Sequence, residues 1–292
     1  MNPLRTLKYK SDIKNLVEFT TRWTPRKIKC VDINNVDNKS ELYVVKLRRR
    51  NGNDIYRKAS AMCISEVVAT SLINEFGIKT PEPALIYISD ESAQYYSTIQ
   101  LEYSVLEGYH YGTKYIENLL PYIGDENDCL NPMDIVKIWI LDSWLANIDR
   151  NVRGNLMYLP VNDKVEILAM DQSDCFAGAG TFCDGNILNI PESKIPIGKH
   201  ELVIRLISSD AGISIMGETI EKIINLSKSS VLDECVALAH EQWWEESGID
   251  SRKVISFLRE RANNLNEICD YEDWKNEYKK LSGYENEQLH LF

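Results

Sequence analysis

Apolar and polar residues alternate most clearly in two early runs, Lys27–Asn34 and Glu41–Leu47, which flank the polar turn NNVDNKS. Two alternating runs around a polar turn predict a β-hairpin. The period then changes. Over Arg57–Phe76 the apolar residues Met62, Val68, Ala69, Leu72, Ile73 and Phe76 form a stripe, and Gly77 follows, so a helix ending at a glycine is expected. Thr80-Pro81-Glu82-Pro83 forces an extended stretch. ALIYIS and AQYYSTIQLEY then read as a second hairpin about Asp90–Ser92. Ser104–Gly108 reads as a connector, and Thr113–Leu120 as a short helix.

From Met133 to Leu145 almost every position is apolar, predicting a helix buried on most sides, with Asn131 as its N-cap and Pro132 at the first helical position. It runs out at Ala146-Asn147 into the polar run IDRNVRG. NLMYLP and KVEILAM around Val161–Asp163 predict another hairpin. Ala177–Pro196, rich in glycine and proline, reads as a long loop beside the hairpin's end. Helices are expected over Met216–Ser227, Ser230–Ala239 and Ser251–Leu265, and Trp243-Trp244 reads as core or interlobe packing. The first 24 residues are ambiguous, and the tail from Asp270 is polar.

This order gives an α+β chain of two parts: a small β-rich lobe with one helix over residues 1–103, and a larger, mostly helical lobe over 104–292. Composition excludes some functions. The chain has 292 residues, 26% charged, with net charge −11, which argues against a nucleic-acid surface. No apolar run approaches the ~20 residues of a membrane span. Met1–Asp12 lacks the apolar core of a signal peptide. Seven cysteines without a CxxC pair read as reduced thiols in a cytoplasmic protein.

The candidate chemistry lies around the predicted hairpin. With its turn near Asp163, Asn155 and Asp171 fall opposite each other to within one residue, and opposed Cβ atoms are about 5 Å apart. The loop carrying Asp149 enters at the same end. An amide and a carboxylate are the oxygen ligands that magnesium takes beside phosphates and water, which leaves a second carboxylate as base. Each residue alone would be an ordinary cap or loop acid; together they suit a metal–nucleotide site. Lys46, near the end of the second strand, is either an exposed strand lysine or a point charge for nucleotide phosphates. Glu66, beside the apolar stripe, either reaches water or pairs with Lys46, because an unpaired buried charge is costly. Arg48, Arg49 and Arg50 read as solvated loop charges or partner contacts.

VVKL at 44–47, SEVVATSLINEFGIKTPEP at 65–83, WLANIDRNVRGNLMY at 144–158, MDQSDCF at 170–176 and EQWWEESGIDSRKVISFLRERANNL at 241–265 resemble the HipA-like kinase family. The likeness extends from about Tyr43 to Leu265, and the short HipA-like proteins are nearest. It implies a bilobal protein-kinase-like fold, related also to phosphatidylinositol kinases, using ATP and magnesium. By this resemblance Lys46 holds the α- and β-phosphates, Glu66 is its helix partner, Asp149 is the base, and Asn155 and Asp171 are magnesium ligands. Arg150 either contacts phosphate or pairs with a nearby acid. A protein serine or threonine is the implied acceptor, in this chain or another. An antitoxin-like partner is implied by the same kinship.

The pattern departs from the kinase template in two places. Asp149 and Asn155 are one residue further apart than in D-x-x-x-x-N, so Asn151 competes as metal ligand, although Asn155 is better placed. No glycine precedes Gly52, so Asn34–Ser40 must serve where a Gly-rich phosphate loop is usual. These departures keep a pseudokinase or nucleotide-binding module as the alternative, beside a kinase of small molecules or lipids.

Overall fold

The computed structural model describes residues 5–9, 26–32, 40–50, 55–99, 104–121, 128–150, 155–183, 206 and 209–269. The N-terminal part is a closed five-stranded barrel beside a long helix. Strands β1 (Arg5–Tyr9), β2 (Arg26–Asp32) and β3 (Ser40–Lys46) come first, then the short β4 (Arg49–Arg50) and α1 (Ile55–Glu75). After them lie β5 (Pro83–Ile88), α2 (Asp90–Ile99), β6 (Ser104–Val105) and β7 (Gly108–Lys114). The barrel order is β1-β2-β3-β7-β5, closed by the parallel pairing of β5 with β1. β2 and β3 form the expected hairpin, with Arg26 opposite Val45 and Val31 opposite Ser40. Inward residues of β5 alternate as period two requires: Ala84, Ile86 and Ile88 are buried with Ile28, Tyr43 and Val45.

Three expectations are corrected here. No second hairpin forms about residue 91. Residues 90–99 are helical, begun by Ser89, whose Oγ accepts from the Ser92 amide at 3.4 Å, and by Asp90 and Glu91 at the positive helix end. Those start signals outweigh the β-propensity of Tyr95 and Tyr96. The partner of β5 is β7, with Ile88 opposite Gly108 and Pro83 opposite Thr113. The barrel therefore extends past residue 103, the expected lobe boundary, and the strand ending at Lys114 replaces the start of the short helix expected at Thr113. β1, in a segment that read as ambiguous, is part of the barrel.

The rest is helical around one small sheet. β8 (Leu120–Pro121), α3 (Asp134–Leu145), β9 (Leu156–Val161), β10 (Lys164–Ala169) and α4 (Gly178–Cys183) come first. Then follow α5 (Asp210–Ser227), α6 (Ser230–Ala237), α7 (Glu241–Ser247), α8 (Ser251–Asn263) and α9 (Leu265–Ile268). α4 occupies the start of the segment that read as a loop; residues 184–196 and the tail from Asp270 lie outside the described residues. Side-chain caps at Ser209, Ser229 and Asp250 start α5, α6 and α8. α3 is buried on nearly all sides, as its composition demands.

α1 is more deeply set than its stripe suggested. From Ser60 to Ile73 only Met62 is not fully buried. Its apolar residues share one core with α3, α5, α6, α7 and α8, separate from the core inside the barrel. Among the described residues no helix is long and apolar enough to cross a membrane.

Candidate active site

The C-terminal end of α3 sets the base of the site. The helix stops at Ala146 in left-handed conformation, and the chain turns back on one buried carboxylate. Asp142 accepts from Asn147 Nδ2 at 3.0 Å and from Arg150 Nε and Nη2 at 2.8 and 2.9 Å. Asn147 Oδ1 in turn accepts from the Asp149 amide at 3.1 Å. Asp149 thus projects from a loop fixed from beneath. Asn131 does not cap α3; it bridges to β10, accepting from the Ile167 amide at 2.8 Å and donating to the Ile167 carbonyl at 3.0 Å. That ties the helix start to the hairpin.

The hairpin is the predicted one. Lys164 faces Val161 and Ala169 faces Leu156, and the Met170 amide donates to the Asn155 carbonyl at 3.0 Å. Asp171 is thus one residue beyond the position opposite Asn155, as the register implied. Its backbone is left-handed, φ 51°, a conformation aspartate tolerates better than most residues. The turn brings Ser173 back onto its carboxylate, Oγ to Oδ1 at 2.6 Å. Asn155 donates from Nδ2 to the Asp149 carboxylate at 3.0 Å and the Asp149 carbonyl at 2.7 Å. Its amide nitrogen is committed to Asp149, which leaves the amide oxygen for a ligand.

Lys46 ends β3 and reaches across to both sides: its ammonium ion-pairs with Glu66 on α1 and with Asp171 beyond β10. The barrel, the long helix and the hairpin therefore meet at one amine. Burial alone would lower the Lys46 pKa, but Glu66 and Asp171 outweigh it and raise it. Burial would raise Asp171; Lys46 and Ser173 outweigh it and hold that carboxyl well below the usual range. For Glu66 burial wins, pushing it up to about 7 against the pull of Lys46. Burial raises Asp149 too, opposed by the Asn155 hydrogen bond and reinforced by Asp171. Asp174 is raised by burial and then by the charges of Asp149 and Asp171.

These mutually felt carboxylates are oxygen donors suited to a hard cation. Among the described residues no three His, Cys, Asp or Glu side chains are grouped so as to hold an ion by themselves. An ion here would draw on the Asn155 amide oxygen and the Asp171 carboxylate, completed by water and phosphate oxygens. That mixed shell is the one magnesium favours.

Arg150 takes the structural alternative. Beyond its two bonds to Asp142 it donates to the Asn155 carbonyl, to the Met170 carbonyl at 2.6 Å and to Gln172 Oε1 at 2.7 Å. A guanidinium has five N–H donors, and all five are engaged inside the protein, so none remains for phosphate. Arg48 is corrected as well: far from solvated, it is 0% exposed and ion-paired with Glu246. Asn151 and most of the Asn34–Ser40 turn lie outside the described residues.

Sequence reasoning missed Asp142, Asn147 and Asp174. A signal for Asp142 was available: a lone carboxylate in an otherwise apolar helix must find a buried partner. Asp174 lay in a quoted motif, but only folding reveals that it shares a field with Asp149.

The model of the HipA-like kinase family matches residues 36–181, half of the chain. The chain belongs to the HipA-like kinase family, and is by that membership a phosphotransferase-type protein. No curated protein sequence matches it. Among solved structures, the Fam20 of hydra with sugar is similar at 11% identity, covering 93% of this chain and 88% of that one, TM-score 0.44. The Helicobacter pylori proinflammatory kinase CtkA is similar at 15% identity, covering 89% and 98%, TM-score 0.43.

Proposed function

We propose that this chain is an ATP- and magnesium-dependent kinase that phosphorylates a serine or threonine of a protein, its own chain included. The observation that carries the reading is the meeting of Lys46 with Glu66 and Asp171, one cation from the barrel between carboxylates of two other elements. Lys46 would hold the phosphates of the nucleotide, and Glu66 would keep its ammonium charged and aimed. Asp149, within hydrogen-bond reach of Asn155 and at the loop surface, would accept the hydrogen bond and then the proton of the acceptor hydroxyl. Asn155 and Asp171 would hold the metal. Magnesium bound there would neutralise charge on the transferring phosphoryl group.

The division of labour follows the architecture: the barrel with α1 binds nucleotide, and the helical part supplies Asp149, Asn155 and Asp171. A cytoplasmic site of action agrees with seven cysteines that are all buried thiols. Family membership supports a protein substrate, and an antitoxin-like or other protein partner is a further part of the proposal. The test is transfer of labelled phosphate from ATP in the presence of magnesium. Wild-type protein should label itself or a protein substrate, and Asp149→Asn should abolish the label while still binding ATP. Full activity in Asp149→Asn would overturn the assignment.

A further inference from the structure

A second junction of charges lies away from Asp171, and it joins the same two elements that carry Lys46 and Glu66. Glu246, on α7, ion-pairs with Arg48, two residues past Lys46. The same carboxylate accepts from Ser60 Oγ on α1, six residues before Glu66, and from Gln242 Nε2 at 2.9 Å. Arg48 is further fixed: its Nη2 donates to the Glu107 carbonyl and its amide to His110 Nδ1, both at 2.8 Å. Gln242 Oε1 accepts from the Tyr109 amide at 3.1 Å, and Trp243 Nε1 donates to the Tyr109 carbonyl at 2.8 Å. The fit is close. A Cβ at Gly108, where φ is +104°, would come within 2.6 Å of the Gln242 side chain. Arg57 near the start of α1 donates to the Ser247 and Cys183 carbonyls at 3.1 Å. At the other end of α1, Lys222 donates to the Glu75 carbonyl at 2.5 Å and sits 4.7 Å from the centre of the Phe76 ring.

We propose that Glu246 is a positioning residue: through Arg48 and Ser60 it sets the end of β3 against α1, and so fixes the geometry of the Lys46–Glu66 pair. The proposal rests on the reading of Lys46 as a phosphate-holding residue. It goes further in assigning that geometry to a helix from the far end of the chain. The reason is mechanical. A strand shifted at Arg48 carries Lys46 with it, and α1 shifted at Ser60 carries Glu66. One carboxylate holds both, so losing it frees the two movements from each other.

The experiment is a double-mutant cycle on ATP KM and kcat, using Glu246→Gln, Lys46→Gln and the two together. Glu246→Gln is expected to raise ATP KM about ten-fold, because small misplacements of a positioned group are costly. In the Lys46→Gln background it should change KM by less than about two-fold, since the group it positions is gone. An equal effect in both backgrounds, or a lowered melting temperature with unchanged KM and kcat, would overturn the proposal. Glu246→Gln leaves Arg48 buried without its counter-charge. Arg48→Met/Glu246→Gln removes both charges and is the folded control; it should raise KM like the single variant. Should wild-type protein bind no ATP, the kinase reading falls while the clamp is still judged by hydrogen–deuterium exchange. Faster exchange over 44–48 and 60–66 in Glu246→Gln supports it, and unchanged exchange overturns it.

Discussion

Lys46 and Arg150 are both cations held by carboxylates, yet they differ in what is left over. Arg150 has every donor engaged by Asp142, Gln172 and two backbone carbonyls, and Asp142 is 0% exposed. Lys46 keeps 17% of its side chain exposed, and its partner Asp171 keeps 35%. A saturated cluster can only support. A cluster with accessible charge on both signs can exchange partners for a ligand. The two share a boundary, since Arg150 grips the carbonyls of Asn155 and Met170, the residues that set the hairpin's open end. The closed cluster is the footing of the open one.

Removing Arg150 tests the closed side and should have the largest effect. Arg150→Met leaves Asp142 buried without its counter-charge, and should cost about 3–5 kcal/mol of stability, measured by urea unfolding. Asp171→Asn tests the open side. Phosphoryl transfer should fall about a hundred- to a thousand-fold while the urea midpoint moves far less than in Arg150→Met. If the two variants lose stability alike, the contrast between them fails.

Glu66 sharpens the comparison through pH. Its pKa is about 7 in the fold against roughly 4.3 in an unfolded chain. The folded protein therefore binds more protons than the unfolded chain between those values, and this group's contribution to stability falls as pH rises through that window. Ionised Glu66 grows over the same interval, so transfer should rise towards a plateau above pH 7. Glu66→Gln should lose about ten-fold in activity and flatten both slopes. His110 acts in the opposite sense. Its pKa is lowered to about 3 by burial and by Arg48, so its part of stability is lost as pH falls below about 6.5. The Glu66 slope is accordingly read as a difference between wild type and Glu66→Gln.

The smallest effect is expected at an ordinary surface pair. Lys79 meets Glu166 at 2.6 Å with Lys79 largely exposed. Lys79→Ala should cost no more than about 1 kcal/mol and leave transfer unchanged, which calibrates the larger losses.

Much of this arrangement is legible in the chain because it is local. The hairpin register follows from NLMYLP, a polar turn and KVEILAM, and it alone brings Asn155 to within one residue of Asp171. The apolar run before it marks α3, and the glycine after Phe76 marks the end of α1, where Gly77 has φ +72°. What local pattern could not supply was the choice of distant partners. The stretch AQYYSTIQ has strand-like residues, but Ser89, Asp90 and Glu91 start a helix, and β7 pairs with β5 instead. Arg48 reads as one of three arginines that are solvated or meet a partner until Glu246, far along the chain, arrives beside it. Arg150 had two open readings, and the decision lay in Asp142, eight residues earlier on the buried side of a helix.

The setting of α1 has a consequence for how the molecule comes into being. That helix is made early, but α6 and α7, which pack along it, are translated late. A ribosome that has released the barrel still has a greasy rod to shelter until the final third emerges. Contacts this distant in sequence slow folding and leave apolar surface open to aggregation. Truncation ahead of Glu241, which removes α7, should therefore yield insoluble product rather than a smaller working unit.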